Sequence, residues 1–223
     1  MIIHKIWGDK QKNLRVFLLD QKTFIKGKNL LLEMHSLLHE KKVYHTNIET
    51  FYDNLWDNLK EGTCKIISNK ETSILWNIWH ISRIEDFISN ILIGNKETVF
   101  NKEIQVKLNI KIKDSGNAMT YSDIELFNKN IDMKVLKEYR VMVGKSTKKI
   151  IESLEYNDMK IKVTKEQLEK IKQNSGVVNA PESLGLLDFW GKKDIYGLIM
   201  MPITKHQTIH INDCFAIKKK YNK

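Results

Sequence analysis

The chain has 223 residues, 42% hydrophobic and 29% charged, which is the balance of a globular protein with a sizeable core and room for one large domain or two small ones. No stretch approaches the roughly 18 apolar residues of a membrane span. The start, Met1-Ile2-Ile3-His4-Lys5, lacks a secretory leader's charged region followed by a long apolar one, so a cytoplasmic protein without a membrane partner is expected. The formal charge is +10, but arginine occurs only at Arg15, Arg83 and Arg140 and the lysines are scattered, which argues against a nucleic-acid-reading surface.

Residues 11–44 form the first predicted helical segment, with Leu30, Leu31, Met34, Leu37 and Leu38 at helical spacing and Gly27 as the expected break into two helices. Asn47 to Leu59 is a shorter helix with Phe51, Leu55 and Leu59 on one face and Gly62 as its stop. Glu71 to Ile93 is apolar nearly all round, the mark of a central, covered helix, and Gly94-Asn95 ends it. Ile104, Val106, Leu108, Ile110 and Ile112 alternate with polar residues, a strand period with no evident partner strand, so an extended or loop-like segment is expected. Asp114-Ser115-Gly116-Asn117 is a turn, and Thr120 with Asp123 makes a capping box opening a helix to about Phe127.

Asp132 to Leu154 is a long helix burying Val135, Leu136, Tyr139, Met142, Val143, Ile150 and Leu154. Thr164 to Ile171 and Ser183 to Trp190 are short helices. The last runs from about Ile195 to Lys219 and contains Pro202, which kinks it or sits in its first turn, because an interior proline costs about 3 kcal/mol. Four long helices without a repeat or linker predict an all-α bundle occupying 1–223 as one domain.

Cys64 and Cys214 are too far apart for a disulfide framework or a ligand pair. Cys214 lies four residues after His210 and shares its helix face; a buried small residue is the better reading, a ligand or reactive thiol the sharper one. Two His-x-x-x-His pairs occur, His35 with His39 and His206 with His210. Residues four apart on a helix are neighbours, so either pair can chelate one ion, and spacing does not rank them. Gln207 stands where a zinc-protease helix carries its glutamate base, which excludes that chemistry. His80 sits among apolar residues, where a hydrogen-bonded core histidine is the ordinary reading, yet a two-histidine site wants a third ligand from a facing helix. His4 and His45 have no partner at useful spacing.

The segment Trp76-Asn77-Ile78-Trp79-His80-Ile81-Ser82-Arg83-Ile84-Glu85-Asp86 resembles the second-helix signature of the DinB-like superfamily, the YfiT-type metal-dependent proteins. Met201-Pro202-Ile203-Thr204-Lys205-His206-Gln207-Thr208-Ile209-His210 resembles that family's closing His-x-x-x-His, and Asp114 to Thr120 looks like a loop of a longer subgroup. The resemblance runs from about Leu30 to the end. It implies a four-helix bundle with extended connectors, holding one divalent zinc or nickel ion on His80, His206 and His210. It also implies thiol-transferase or hydrolase-like chemistry on a small molecule, some relatives using low-molecular-weight thiols such as bacillithiol or mycothiol. A metal-stabilised binding module without turnover is the alternative, and a homodimer is allowed.

Three ligand imidazoles must be neutral, and their ordinary pKa near 6.5 predicts metal loss below about pH 6. Glu85, Asp86 and Asp213 are candidates for orienting the imidazoles; Arg83 with Asp86 also reads as a surface pair. Trp76, Trp79, Tyr139 and Trp190 are core aromatics that could line a pocket. His35 and His39 read as a pocket wall or partly exposed face near a polar helix end, with His39 a candidate for the metal cavity.

Overall fold

Helix starts in this chain are chemically marked. The side chains of Thr50, Ser73, Asn101, Thr120, Asp132, Thr164 and Asp194 each accept the backbone N–H three residues on, satisfying a donor that the first turn leaves free. The computed structural model describes residues 3–223, and side chains from Trp7 onward; the expectations on Met1–Lys5 concern side chains outside that range. The helices in order are α1 (Ile3–Phe17), α2 (Phe24–Leu37), α3 (Phe51–Trp56), α4 (Glu61–Cys64), α5 (Ile74–Asp86), α6 (Lys102–Lys107), α7 (Tyr121–Asn130), α8 (Met133–Ser153), α9 (Lys165–Gln173), α10 (Pro181–Gly191), α11 (Ile195–Leu198) and α12 (His206–Tyr221). A π-helical turn, Phe87–Ile93, continues α5, and another, Ile199–Lys205, joins α11 to α12. The protein is all-α: no strand occurs among the described residues, only an isolated bridge between Lys162 and Asp194. Among the described residues no helix is long and apolar enough to cross a membrane.

α5 is the axis. All its residues are buried, between α8 on one side and α12 on the other, while α2 lies against α8 and against the π turn that precedes α12. One core surrounds α5 with Leu31, Met34, Trp79, Leu136 and Ile211; a second, built on Phe87, Ile91, Trp190, Leu198 and Ile203, lies where the π turns meet α9 and α10.

The differences from expectation have local causes. The break in the first segment falls at residues 18–23 and Gly27 lies inside α2, because a Cβ there would meet the backbone of Phe17 and Leu18 at 3.0 Å. α3 is shorter than expected, since Thr50 caps it and Asn58 takes a positive φ of 50°, and Gly62 lies within α4 rather than ending a helix. Residues 104–112 are not extended: Asn101 caps α6, Ile104 and Leu108 are buried one turn apart, and Val106 is 66% exposed. On α8 it is Val141 that turns inward, and Met142 is exposed. Pro202 sits inside the last helix. The wide π turn accommodates it, and the Thr204 hydroxyl donates to the Ile199 and Met200 carbonyls at 2.8 and 3.0 Å.

Candidate metal centre

Ser73 caps α5, and packing of that helix against α12 places Trp76, Asn77 and His80 toward it. The π turn delivers α12 with His206 at its first position, and His210 follows one turn on. The three rings converge. His206 Nε2 lies 3.2 Å from His80 Nε2 and 3.1 Å from His210 Nε2. Ligands about 2.1 Å from one ion would stand about 3.0–3.4 Å apart at right or tetrahedral angles, so these rings fit around a single cation.

The tautomers sharpen this. His80 Nδ1 lies 2.8 Å from the Ser115 carbonyl, so it carries the proton and donates. Asn77 Nδ2 donates to the Ser73 carbonyl, which turns the amide oxygen toward His210 Nδ1 at 2.7 Å; that nitrogen also donates. The Nε2 atoms of His80 and His210 therefore present lone pairs to His206, which has one Nε2 to meet both. His206 Nδ1 is itself buried without a partner. A shared cation resolves this arrangement in a way one proton does not. Burial lowers His80 to about 4, and burial followed by the nearby His80 lowers His206 to about 3; burial with His80 and His206 holds His210 well below its usual value. All three are the neutral form a metal requires. His80 is buried, while His206 and His210 are partly exposed, so one side of the cluster opens outward.

Three consecutive loop carbonyls hold the α5 rings in place. Asp114 O accepts from Trp79 Nε1, Ser115 O from His80, and Gly116 O from Trp76 Nε1. Trp76 stacks on His80 with centroids 4.7 Å apart and planes 9° apart, and so walls the site.

His35 and His39 are not on a partly exposed face: both are fully buried and meet Glu85 on α5. This second His-His-carboxylate group is also compact enough to hold an ion, but its chemistry differs. His35 is satisfied at both nitrogens, accepting from Tyr44 and donating to Glu85 at 2.8 Å. Glu85 is paired with the buried Arg140 guanidinium at 2.7 Å. Burial alone would raise the Glu85 carboxyl, but the His39 imidazole and Arg140 outweigh it and hold it low. Burial, then Arg140, pushes His39 down to about 3. Protons and one guanidinium already balance this cluster, and a dication would have to sit beside a buried cation.

The candidates for orienting the triad fall elsewhere. Glu85 serves the second cluster. Asp86 is buried, not at the surface, where it accepts from Tyr139, Arg83, Asn90 and the amides of Val99 and Phe100. Asp213 pairs with the exposed Lys70. Tyr139 belongs to the Asp86 network and Trp190 to the second core, so of the proposed pocket aromatics Trp76 is the one stacked on a triad ring. His39 does not join the triad's cavity because it faces Glu85 and Gly144, where a Cβ would meet its ring at 2.5 Å. Cys214 is buried and its thiol is pushed well up by burial, which makes it inert packing. The orienting partners, Asn77 and Ser115, were missed. Asn77 lies one turn before His80 on the histidine face, the signal that could have found it; Ser115 acts through its carbonyl, which side-chain identity does not reveal. Gln207, fully buried, ties α12 to α5 by donating to the Ile81 and Pro202 carbonyls and accepting from Arg140. No family model and no curated protein matches the chain.

Proposed function

We propose that the protein is a DinB-like, YfiT-type four-helix metalloprotein that holds one zinc or nickel ion on His80, His206 and His210 and acts on a small molecule. The observation that carries this reading is the meeting of three Nε2 atoms, two with lone pairs fixed inward by hydrogen bonds on the far side of the ring. Three protein nitrogens leave coordination positions open, the pattern of catalytic rather than structural sites. When bound, the ion would lower the pKa of water or hold a thiolate as nucleophile.

The chain's own residues supply orientation. Asn77 and the Ser115 carbonyl hold the tautomers, and Trp76 gives one apolar wall. Glu85, Asp86 and Asp213 are all engaged elsewhere. A thiol that arrives ionised asks for no base, so transfer of a low-molecular-weight thiol to an electrophile demands least of this site. The same shortage of a base supports, as the second reading, a metal-stabilised binding module without turnover.

Metal analysis of unsupplemented protein tests the site. One zinc or nickel per chain is expected, lost in His80→Ala and His206→Ala and retained in His35→Ala. Metal lost in His35→Ala and retained in His80→Ala would move the site to the second cluster. Accelerated thiol consumption with an aryl halide electrophile, absent in His206→Ala, separates the enzyme from the binding module.

A further inference from the structure

The face of α12 that points away from His206 and His210 borders a separate cavity, of about 920 Å³, shared with α1 and the second π turn. That volume suits a small organic molecule, since ligand pockets run to roughly 300–1,000 Å³. Its lining has one sign of charge: Lys12, Arg15, Lys193 and Lys205 border it and no carboxylate does. Arg15, Lys193 and Lys205 form no ion pair with any described residue, and Lys12 reaches Asp9 only at 3.7 Å, with both side chains exposed. Apolar groups complete the wall. Trp7, Met200 and Met201 line it, and Val16 and Ile209, which are 63% and 41% exposed, stand at its edge.

A second observation points to an occupant. Trp7 is 5% exposed, yet its indole N–H has no partner among the described residues; Gln11 Oε1 and both amide atoms of Asn212 are likewise buried and unpaired among them, and all three residues line this cavity. Each of these atoms is closed off from solvent behind the wall, and a buried polar atom without a partner costs about 1–3 kcal/mol, so a small turn of these side chains toward an occupant would gain hydrogen bonds. Gln11 is held by its amide nitrogen on the Met200 carbonyl and Thr204 hydroxyl, which fixes its free oxygen in the wall.

We propose that this cavity is a second ligand site, for a small organic anion with an apolar body. The cations neutralise its head group, Trp7 and Asn212 turn toward it to donate, and the methionines and Ile209 cover its hydrocarbon part. The inference does not rest on a metal at the histidines, which lie on the other face of α12.

The experiment compares two probes on the full chain: 8-anilinonaphthalene-1-sulfonate, and the neutral N-phenyl-1-naphthylamine, which shares its rings and lacks the sulfonate. One sulfonate probe per chain should bind, at least tenfold more tightly than the neutral twin. The double variant Arg15→Ala, Lys205→Ala should weaken it tenfold or more. Gly8→Trp should block it: Gly8 lines the cavity, an added Cβ meets nothing within 4 Å, and replacing a helical glycine favours α1, so loss of binding would not come from unfolding. Leu126→Trp in the separate apolar cavity of about 740 Å³ should leave binding unchanged. Equal affinity for both probes, unaltered sulfonate binding in the double variant and Gly8→Trp, or no binding by the intact chain, would overturn the site.

Discussion

At the scale of single residues, the two histidine clusters differ in what satisfies them. Glu85 answers His35, His39 and Arg140 at once, with the acid and the guanidinium fully buried. Removing one partner of a buried pair leaves an uncompensated charge, at about 3–5 kcal/mol. Glu85→Gln should therefore lower the unfolding free energy read from urea titration by that amount while metal content stays the same. A loss below about 1 kcal/mol would show that Arg140 finds another partner. Asn77 does the opposite kind of work. It holds His210 in one tautomer, and its side chain makes one other hydrogen bond among the described residues, to the Ser73 carbonyl. Asn77→Ala should weaken metal binding about 10–100-fold, as measured by competition with a chromophoric chelator, and cost about 1–3 kcal/mol of stability because His210 Nδ1 loses its partner. Unchanged affinity would remove Asn77 from the site.

Among the elements, the loop at 114–116 holds the histidine face of α5, because its consecutive carbonyls receive the ring N–H groups of Trp79, His80 and Trp76. Gly116 makes that register attainable. Its φ is +77°, and a Cβ would lie 3.0 Å from Trp76 Nε1 and the Met119 sulfur. Gly116→Ala should cost about 1–3 kcal/mol and loosen the metal as well, since the loop cannot shift without moving the Ser115 carbonyl. A variant that loses stability but keeps full metal affinity would uncouple the loop from His80. The π turns matter in the same way: an extra residue per turn re-aims the following helix, and α12 begins its regular course at His206.

For the whole molecule, burial of neutral histidines couples stability to pH. His39, His80 and His206 are lowered from 6.5 to about 3, 4 and 3, chiefly by burial. Below pH 6.5 the unfolded chain binds protons that the native chain refuses, so stability is complete above that pH and falls as pH drops toward 4. Each group contributes a slope of about 1.4 kcal/mol per pH unit, or about 4 for the three. Chelator-treated protein should show a flat melting temperature above pH 7 and a steep decline below pH 6; a flat profile from 7 to 4 would contradict buried neutral histidines. The expectation of metal loss below about pH 6, drawn from the ordinary imidazole pKa, is also revised. The folded triad stays neutral to lower pH, so chelator should keep lowering the melting temperature down to the point where acid unfolds the chain.

What the sequence determined by itself was local. Caps such as Thr120 with Asp123, the length of α8, and the neighbourhood of His206 with His210 all arise within a turn or two of helix, where spacing is geometry. The alternation at 104–112 misled because an asparagine cap and two buried residues one turn apart outweigh a strand period that has no partner to pair with. Tertiary structure alone decided how the histidines are shared out. α5 is covered on every side, so its apolar pattern does not reveal which flank His80 faces and which Glu85 faces. Those flanks were set by packing against α12 and α8, by side-chain bonds to His206 and His35 at sequence separations of 126 and 50 residues, and by a loop carbonyl whose partner no side-chain pattern names.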